Sequence, residues 1–311
     1  MKSNPQPAAV GILVGNVPEK KTVIQHIKDT TDFTSLCSRV KLKTPVKGLI
    51  KLALPKRTVD EMRNSAREAI QRHGLHGWLS REGRAVGSNY ESLSLTCNPD
   101  LRDPGIGDVH QSTLGSSVNR SDEFYYAQMH RFKTLKNTYF DTYGFRKLTP
   151  AARIGALGRF IADSHLSLVR SRLSVLYGDE AGPANPTPFE AGWHRDEPVF
   201  ENLRINIPLV THRNYRLQIE HVLDEPNERS GTMTEHHLST GYAYTLDTNR
   251  PHRVYPSASC RTMRVHLVLG FSPWFRYDAR KDLWAPNEFF GRLHPFDIVR
   301  EGGLHPELCM H

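Results

Sequence analysis

The runs LRINIPLVT at residues 203–211 and MRVHLVLGF at residues 263–271 decide the fold class. Both are rich in β-branched and other apolar residues, which favour strands. Five more short runs of this kind are separated by Gly, Pro, Asn and Asp and lie at 172–177, 215–222, 232–237, 242–246 and 252–255. Many short strands at this spacing are typical of a sandwich or barrel. We therefore predict a mainly β fold with flanking helices.

The first 170 residues mix helical and strand patterns, which predicts an α/β elaboration of this β region. Thr58-Val59-Asp60-Glu61 has the form of a capping box and predicts a helix over about 59–73, with Gly74 as its stop. Thr149-Pro150 predicts a second helix start, running to about residue 168. The weaker patterns predict strands at 10–17, 48–54 and 90–96, a long loop over 97–119 and a helix over 122–136.

Composition limits the function classes. The 311 residues are 38% apolar, which is enough for a buried core, and they carry a formal charge of +8 that is spread along the chain. This favours a solvated basic surface, with nucleic acid as a less favoured partner. The four cysteines have no C-x-x-C spacing, so we expect thiols in a reducing cytoplasm. No apolar run is long enough to predict a membrane span.

Three residues have the chemistry of a metal site. In a strand, His194 and Asp196 would point to the same face because side chains alternate. His252 would add a distant second imidazole. Two histidines and one carboxylate form the facial triad of non-haem Fe(II) oxygenases, which leaves coordination positions open for a co-substrate and dioxygen. We predict that these three residues bind one iron ion.

An arginine follows the third candidate ligand. A turn over Pro256–Cys260 would pair two strands so that Arg264 lies opposite His252. A guanidinium there could hold the far carboxylate of a dicarboxylate co-substrate in a bidentate pair. Arg261 is the competing candidate and would need a tighter turn. His266 shares a face with Arg264 by the period of two.

Three motifs in order resemble the aspartyl/asparaginyl β-hydroxylase family of Fe(II)/2-oxoglutarate dioxygenases. They are RINIPL at 204–209, LDTNRPHRV at 246–254 and RVHLV at 264–268, and the resemblance covers about residues 190 to 272. It implies a double-stranded β-helix, a jelly-roll or cupin-like barrel. It also implies iron bound by His194, Asp196 and His252, 2-oxoglutarate held by Arg264, and O2 as the oxidant. We accordingly divide the chain into an N-terminal part (1–170), a catalytic barrel (171–275) and a C-terminal extension (276–311).

Two positions and the substrate stay open at this point. Arg204 is a candidate for the C1 carboxylate of 2-oxoglutarate or for a substrate carboxylate, and Asn206 stands where the family often has histidine. The resemblance implies hydroxylation of an unactivated carbon of an amino acid or of a residue in a peptide or protein, with succinate and CO2 as co-products. The alternatives are a dioxygenase that oxidises a nucleic-acid base and a non-enzymatic β-barrel binding module.

Overall fold

A computed structural model describes eight ranges of the chain. They are 33–46, 48–77, 90–99, 142–177, 191–194, 196–220, 232–257 and 260–310. At residues 33, 34, 76, 77, 90 and 191–194 it describes the backbone alone. The strand predicted at 10–17, the helix predicted over 122–136 and most of the loop predicted over 97–119 lie outside these ranges.

The described ranges contain four α-helices and sixteen strands. The α-helices are α1 (Phe33–Arg39), α2 (Lys56–His73), α3 (Gly155–Ala162) and α4 (Pro295–Arg300). The first strands are β1 (Leu49–Ala53), β2 (His76–Gly77), β3 (Tyr90–Ser94), β4 (Thr96–Cys97) and β5 (Lys147–Leu148). The central strands are β6 (Leu168–Leu176), β7 (Ala191–His194), β8 (Leu203–Val210), β9 (Tyr215–Glu220), β10 (Met233–His236), β11 (Tyr242–Leu246), β12 (His252–Pro256) and β13 (Arg264–Phe271). The last are β14 (Phe275–Asp278), β15 (Leu283–Pro286) and β16 (Cys309–Met310).

The central strands β6 to β13 form a double-stranded β-helix. A large sheet has the order β16-β1-β11-β8-β13-β6-β3-β2, and a small sheet has the order β10-β9-β12-β7. Along the chain, β6 to β13 change sheet at each step except from β9 to β10, and their pairings are antiparallel. Two four-stranded layers connected in this way are a jelly roll. The predicted mainly β fold of this type is confirmed.

The two faces of the large sheet bury different chemistry. Alternate residues of β13, such as Leu267 and Leu269, belong to the main apolar core together with Met62 of α2 and Leu157 of α3. Because side chains alternate along a strand, the residues between them point to the small sheet. Tyr244 of β11 faces the same way and packs against Leu217 and Ile219 of β9 in a smaller core between the sheets. We call this second surface of the large sheet its inner face.

Helix α2 is confirmed, but its predicted capping box is wrong. The helix begins at Lys56 after Pro55, and no side chain caps its first turn. Asp60 instead accepts from Lys56 and Glu61 accepts from Arg57, in pairs four residues apart. These carboxylates therefore serve ion pairs along the helix surface. The predicted stop at Gly74 is confirmed. Its amide donates to the carbonyl of Ile70 and closes the last turn, and its φ is 74°.

The helix predicted from Thr149 to about residue 168 is wrong in its length. Residues Pro150–Arg153 form a 3-10 turn, and the α-helix α3 follows as a separate element that ends at Ala162. Gly155 separates them with a φ of 49°, and a Cβ there would lie 2.5 Å from Oγ of Ser65 on α2. The chain turns here because it packs closely on α2, and β6 then starts at Leu168.

The C-terminal residues pack on the rest of the fold through two tryptophans. The hairpin of β14 and β15 carries Trp284, which packs edge-on against Tyr143 with ring centroids 5.1 Å apart. Trp274 is fully buried and donates to the carbonyl of Leu293 over 2.8 Å. No helix in the described ranges is both long and apolar enough to cross a membrane.

Candidate metal centre

The backbone register brings two of the predicted ligands opposite each other. Strand β12 pairs with β7, and His252 lies directly across from His194. Directly opposed residues of an antiparallel pair point to the same face. His252 also pairs with Ile219, whose side chain lies in the core between the sheets, so this face points into the barrel.

Asp196 reaches the same place, although not from a strand as predicted. Strand β7 ends at His194, so the expected alternation of His194 and Asp196 along one strand is wrong. The amide of Asp196 donates instead to the carbonyl of Thr248, over 2.9 Å, in the turn that precedes β12. This contact brings Oδ2 of Asp196 to 3.5 Å from Nε2 of His252.

The hydrogen bonding of His252 suits a metal ligand. Its Nδ1 lies 2.9 Å from the carbonyl oxygen of Arg250. A carbonyl can only accept, so Nδ1 donates, and Nε2, the ring nitrogen nearest Asp196, is the one that could bind a metal. Metal-binding histidines commonly donate their other ring N–H to a backbone carbonyl in this way.

The spacing fits a shared ion. Two ligand atoms at right angles and about 2.1 Å from a metal are about 3 Å apart, close to the 3.5 Å between Asp196 and His252. Among the side chains that the structure describes, no group of three His, Cys, Asp or Glu forms a metal cluster. His194 is described by its backbone alone, so it is a candidate third ligand only through its register with His252.

Arg204 contacts carboxylates of the chain itself. Its Nη1 donates to Oδ2 of Asp196, and its Nη2 donates to Oε2 of Glu197 over 2.5 Å. Nη1 of Arg170 donates to the other oxygen of Glu197. Burial raises the pKa of the Glu197 carboxyl, but the guanidinium groups of Arg204 and Arg170 more than reverse this and bring the pKa down to about 2. The predicted role of Arg204 in binding a ligand carboxylate stays a prediction.

Arg264 lies on the inner face, but not in a hairpin with His252. Strands β12 and β13 belong to different sheets, so the predicted pairing about residue 258 is wrong. Arg264 pairs with Leu176 of β6, and its Nη2 lies 2.9 Å from Nδ1 of His266. Since arginine only donates, Nδ1 of His266 accepts and the proton of the neutral ring sits on Nε2. The prediction that Arg264 and His266 share a face is confirmed.

Nε2 of His266 is buried and has no hydrogen-bond partner among the described residues. Burial, and then the charges of Arg264 and His237, hold the pKa of His266 well below its usual range. The ring is therefore neutral near pH 7. The inner face thus offers a buried N–H next to the guanidinium of Arg264.

Asn206 lies on the inner face, between the positions of Arg204 and Arg264. It pairs with Val268 on one side and with Tyr244 on the other. Arg172 of β6 pairs with Val268 from the opposite direction, so it shares this face. Arg261, the competing anchor, follows β12 and does not belong to either sheet.

Three residues of this site were missed in the sequence. Arg170 and Arg172 belong to a strand that is buried almost throughout, and their spacing of two residues was the available signal. Glu197 directly follows the predicted ligand Asp196, and this position was its only signal. Asp247 stabilises the turn before β12, because its Oδ1 accepts from the amide of Asn249 over 3.1 Å.

Comparison with known proteins gives structural likeness alone. No protein-family model and no curated protein matches the chain. A prolyl-4-hydroxylase from Pseudomonas putida is 13% identical, with 72% of this chain and 92% of that one covered and a TM-score of 0.36. The non-heme alpha ketoglutarate dependent epimerase SnoN from nogalamycin biosynthesis is 12% identical, with coverages of 77% and 83% and a TM-score of 0.41.

A third similar structure is a prolyl hydroxylase from Trichoplax adhaerens in complex with a hypoxia inducible factor oxygen degradation domain peptide fragment. It is 10% identical, with 79% of this chain and 91% of that one covered and a TM-score of 0.37. None of the three is described as an aspartyl/asparaginyl β-hydroxylase, so that resemblance stays a prediction. At these low values the fold assignment rests on the strand order, and function rests on the residues of the site.

Proposed function

We propose that the protein is an Fe(II)/2-oxoglutarate-dependent dioxygenase. The observation that carries the proposal is the convergence of Asp196 and His252 to 3.5 Å, with His194 opposite His252 in the strand register. Two imidazoles and one carboxylate at the wall of a jelly roll match the ligand set of non-haem iron oxygenases. This convergence also argues against a binding module in which the His-x-Asp pattern is accidental.

The residues around the ligands fix a histidine tautomer and provide an apolar surrounding before any metal binds. Arg250 fixes the tautomer of His252 through its carbonyl oxygen. Ile219 and Val254 line the same wall and belong to the cores between the sheets, so they limit the entry of water. When bound, iron would activate O2 and couple the oxidative decarboxylation of 2-oxoglutarate to oxygen transfer.

Arg264 is our candidate anchor for 2-oxoglutarate. It is buried on the inner face, and a guanidinium there can hold a carboxylate through two parallel N–H···O bonds. Nδ1 of the neutral His266 accepts from the guanidinium on one side and so orients Arg264 without acting as a counter-ion. Its buried Nε2–H supplies a further donor close to that charge.

The substrate proposal is narrower and depends on the three motifs. Their resemblance to aspartyl/asparaginyl β-hydroxylases favours hydroxylation of an unactivated carbon in an amino acid or a peptide residue. Free amino acids, peptides and nucleic acids should be screened for a mass gain of one oxygen together with succinate release. Oxygen gain on a nucleic-acid base alone would select the alternative substrate class.

The test of the activity is succinate formation. Purified protein with Fe(II), 2-oxoglutarate and O2 should form succinate slowly even without substrate, and Asp196→Ala and His252→Ala should abolish it. His212→Ala is the matched control, because His212 lies in the connection between β8 and β9, where its Nδ1 accepts from the amide of Asn214. Wild-type rates of succinate formation in both ligand variants would refute the proposal.

A further inference from the structure

A cluster of four charged side chains includes the candidate metal ligand Asp196. Two are positive, Arg170 and Arg204, and two are negative, Asp196 and Glu197. Each arginine side chain is only 5% exposed, and the carboxylates are 15% and 18% exposed. Charges so far from water need partners, because an unpaired buried charge is costly. We call these four residues the carboxylate cluster.

The cluster divides one guanidinium between two carboxylates. Arginine commonly gives two parallel bonds to a single carboxylate. Here Arg204 gives one nitrogen to Asp196 and the other to Glu197. Asp196 therefore shares Arg204 and does not take both of its bonds. This matters because the same oxygen, Oδ2 of Asp196, is the one nearest His252.

Glu197 is held in place from several directions. Arg170 contacts Oε1 of Glu197, and Nδ2 of Asn202 lies 3.5 Å from Oε2. Its backbone carbonyl accepts from the hydroxyl of Thr248 over 2.9 Å. The Asp196-Glu197 pair is thus fixed by its backbone to the turn before β12 and by its side chains to the large sheet.

The backbone of β6 is distorted where it supplies Arg170. This residue has a φ of 39°, which is unusual for a residue with a side chain. The pairing register with β13 shifts here, opposite Gly270. A Cβ on Gly270 would lie 2.3 Å from the carbonyl oxygen of Val169 and 2.5 Å from Oδ1 of Asn202. The close approach of β6 and of Asn202, the residue before β8, therefore requires glycine at position 270.

We propose that Glu197 is a positioning residue for the metal ligand Asp196. By taking one side of Arg204 and by pairing with Arg170, it keeps the guanidinium from claiming both oxygens of Asp196. The Asp196 carboxylate then retains charge and an oriented lone pair for a divalent cation. This inference rests on the proposed function, since it concerns the same metal site. Partners of metal ligands commonly affect metal affinity by about 10- to 100-fold.

The test uses Co(II) as the metal, with binding followed by titration and by the visible spectrum of the bound ion. Glu197→Gln should weaken Co(II) binding by about 10- to 100-fold and alter the spectrum. This variant leaves two guanidinium groups with one carboxylate, so it could fail to fold. The double variant Glu197→Gln/Arg170→Met keeps the net charge of the cluster and still leaves Arg204 to Asp196 alone. It should lose the same affinity.

Two controls separate positioning from general disruption. Arg170→Met alone removes one support of Glu197 but keeps Glu197 on Arg204, so it should lose less Co(II) affinity than the Glu197 variants, short of the 10-fold expected for a lost partner. Glu235→Gln removes a carboxylate on β10 that accepts from Gln218 and Tyr255, away from the carboxylate cluster, and should leave binding unchanged.

Two results would overturn the inference while the proposed function stands. One is a double variant that binds Co(II) with wild-type affinity and spectrum. The other is Arg170→Met losing as much affinity as the Glu197 variants, which would make the cluster a structural support alone. Wild-type protein that does not bind Co(II) would overturn both proposals.

Discussion

The arginines at the two ends of the inner face have different kinds of partner. At the metal end, Arg204 and Arg170 contact carboxylates of the chain, Asp196 and Glu197. Further along β13, Arg264 contacts the neutral ring of His266. The guanidinium groups at the metal end pair with carboxylates of the chain, whereas Arg264 contacts a neutral imidazole, and we propose that it attracts an incoming anion. On the proposed function, arginine would serve structure at one end of this face and co-substrate binding at the other.

The free energy of unfolding after removal of each arginine tests this comparison most directly. Arg204→Met leaves two buried carboxylates without their shared partner and should lower the free energy of unfolding of the metal-free protein by about 3–5 kcal/mol. Arg264→Met removes a contact to a neutral ring and should cost about 1 kcal/mol. Urea unfolding in the presence of a chelator measures both. Equal losses would mean that both arginines are structural.

Although Arg264→Met should have the smaller effect on stability, it should have a large effect on 2-oxoglutarate binding. Losing a charge-assisted pair costs about 1.5–3 kcal/mol, so Arg264→Met should weaken 2-oxoglutarate binding by about 10- to 150-fold. Succinate formation should recover partly at high 2-oxoglutarate, because the metal ligands are intact. Arg261→Met is the matched control and should bind 2-oxoglutarate normally. Normal binding in Arg264→Met with weakened binding in the control would move the anchor to Arg261.

The neutral state of His266 should appear as a smaller effect on pH dependence. Its folded pKa is lowered, so the unfolded chain binds a proton that the folded chain does not, and stability falls as pH drops below about 6.5. One such group contributes up to about 1.4 kcal/mol per pH unit. His266→Gln keeps an acceptor for Arg264 and should flatten the fall between about pH 6.5 and 5. The free energy of unfolding is measured by urea at each pH, and an unchanged pH dependence in His266→Gln would contradict a neutral His266.

Sequence patterns predicted the strands well because their signal is local. The run at Tyr242–Leu246 and the start of β8 at Leu203 match the structure, since alternation and turn residues are properties of neighbouring positions. The partner of each strand is not local. A hairpin was the natural prediction for His252 and Arg264, but the jelly roll sends these consecutive strands to opposite sheets.

The candidate ligands followed from residue type and spacing, but their supports did not. Glu197 gains its role from Arg204 and Arg170, which meet it only after strands distant in sequence have packed. An arginine in a strand is usually expected to face solvent, so its sequence gives no sign of burial. The break at Gly155 has the same origin, because it depends on contact with Ser65 of α2.

Anomalous diffraction at the iron edge, on crystals grown without oxygen in the presence of Fe(II), tests the central claim most directly. The account predicts one peak within about 2–2.3 Å of Nε2 of His252 and of a carboxylate oxygen of Asp196, with the imidazole of His194 as the third ligand. A peak bound elsewhere, or no peak between Asp196 and His252 at saturating Fe(II), would contradict it.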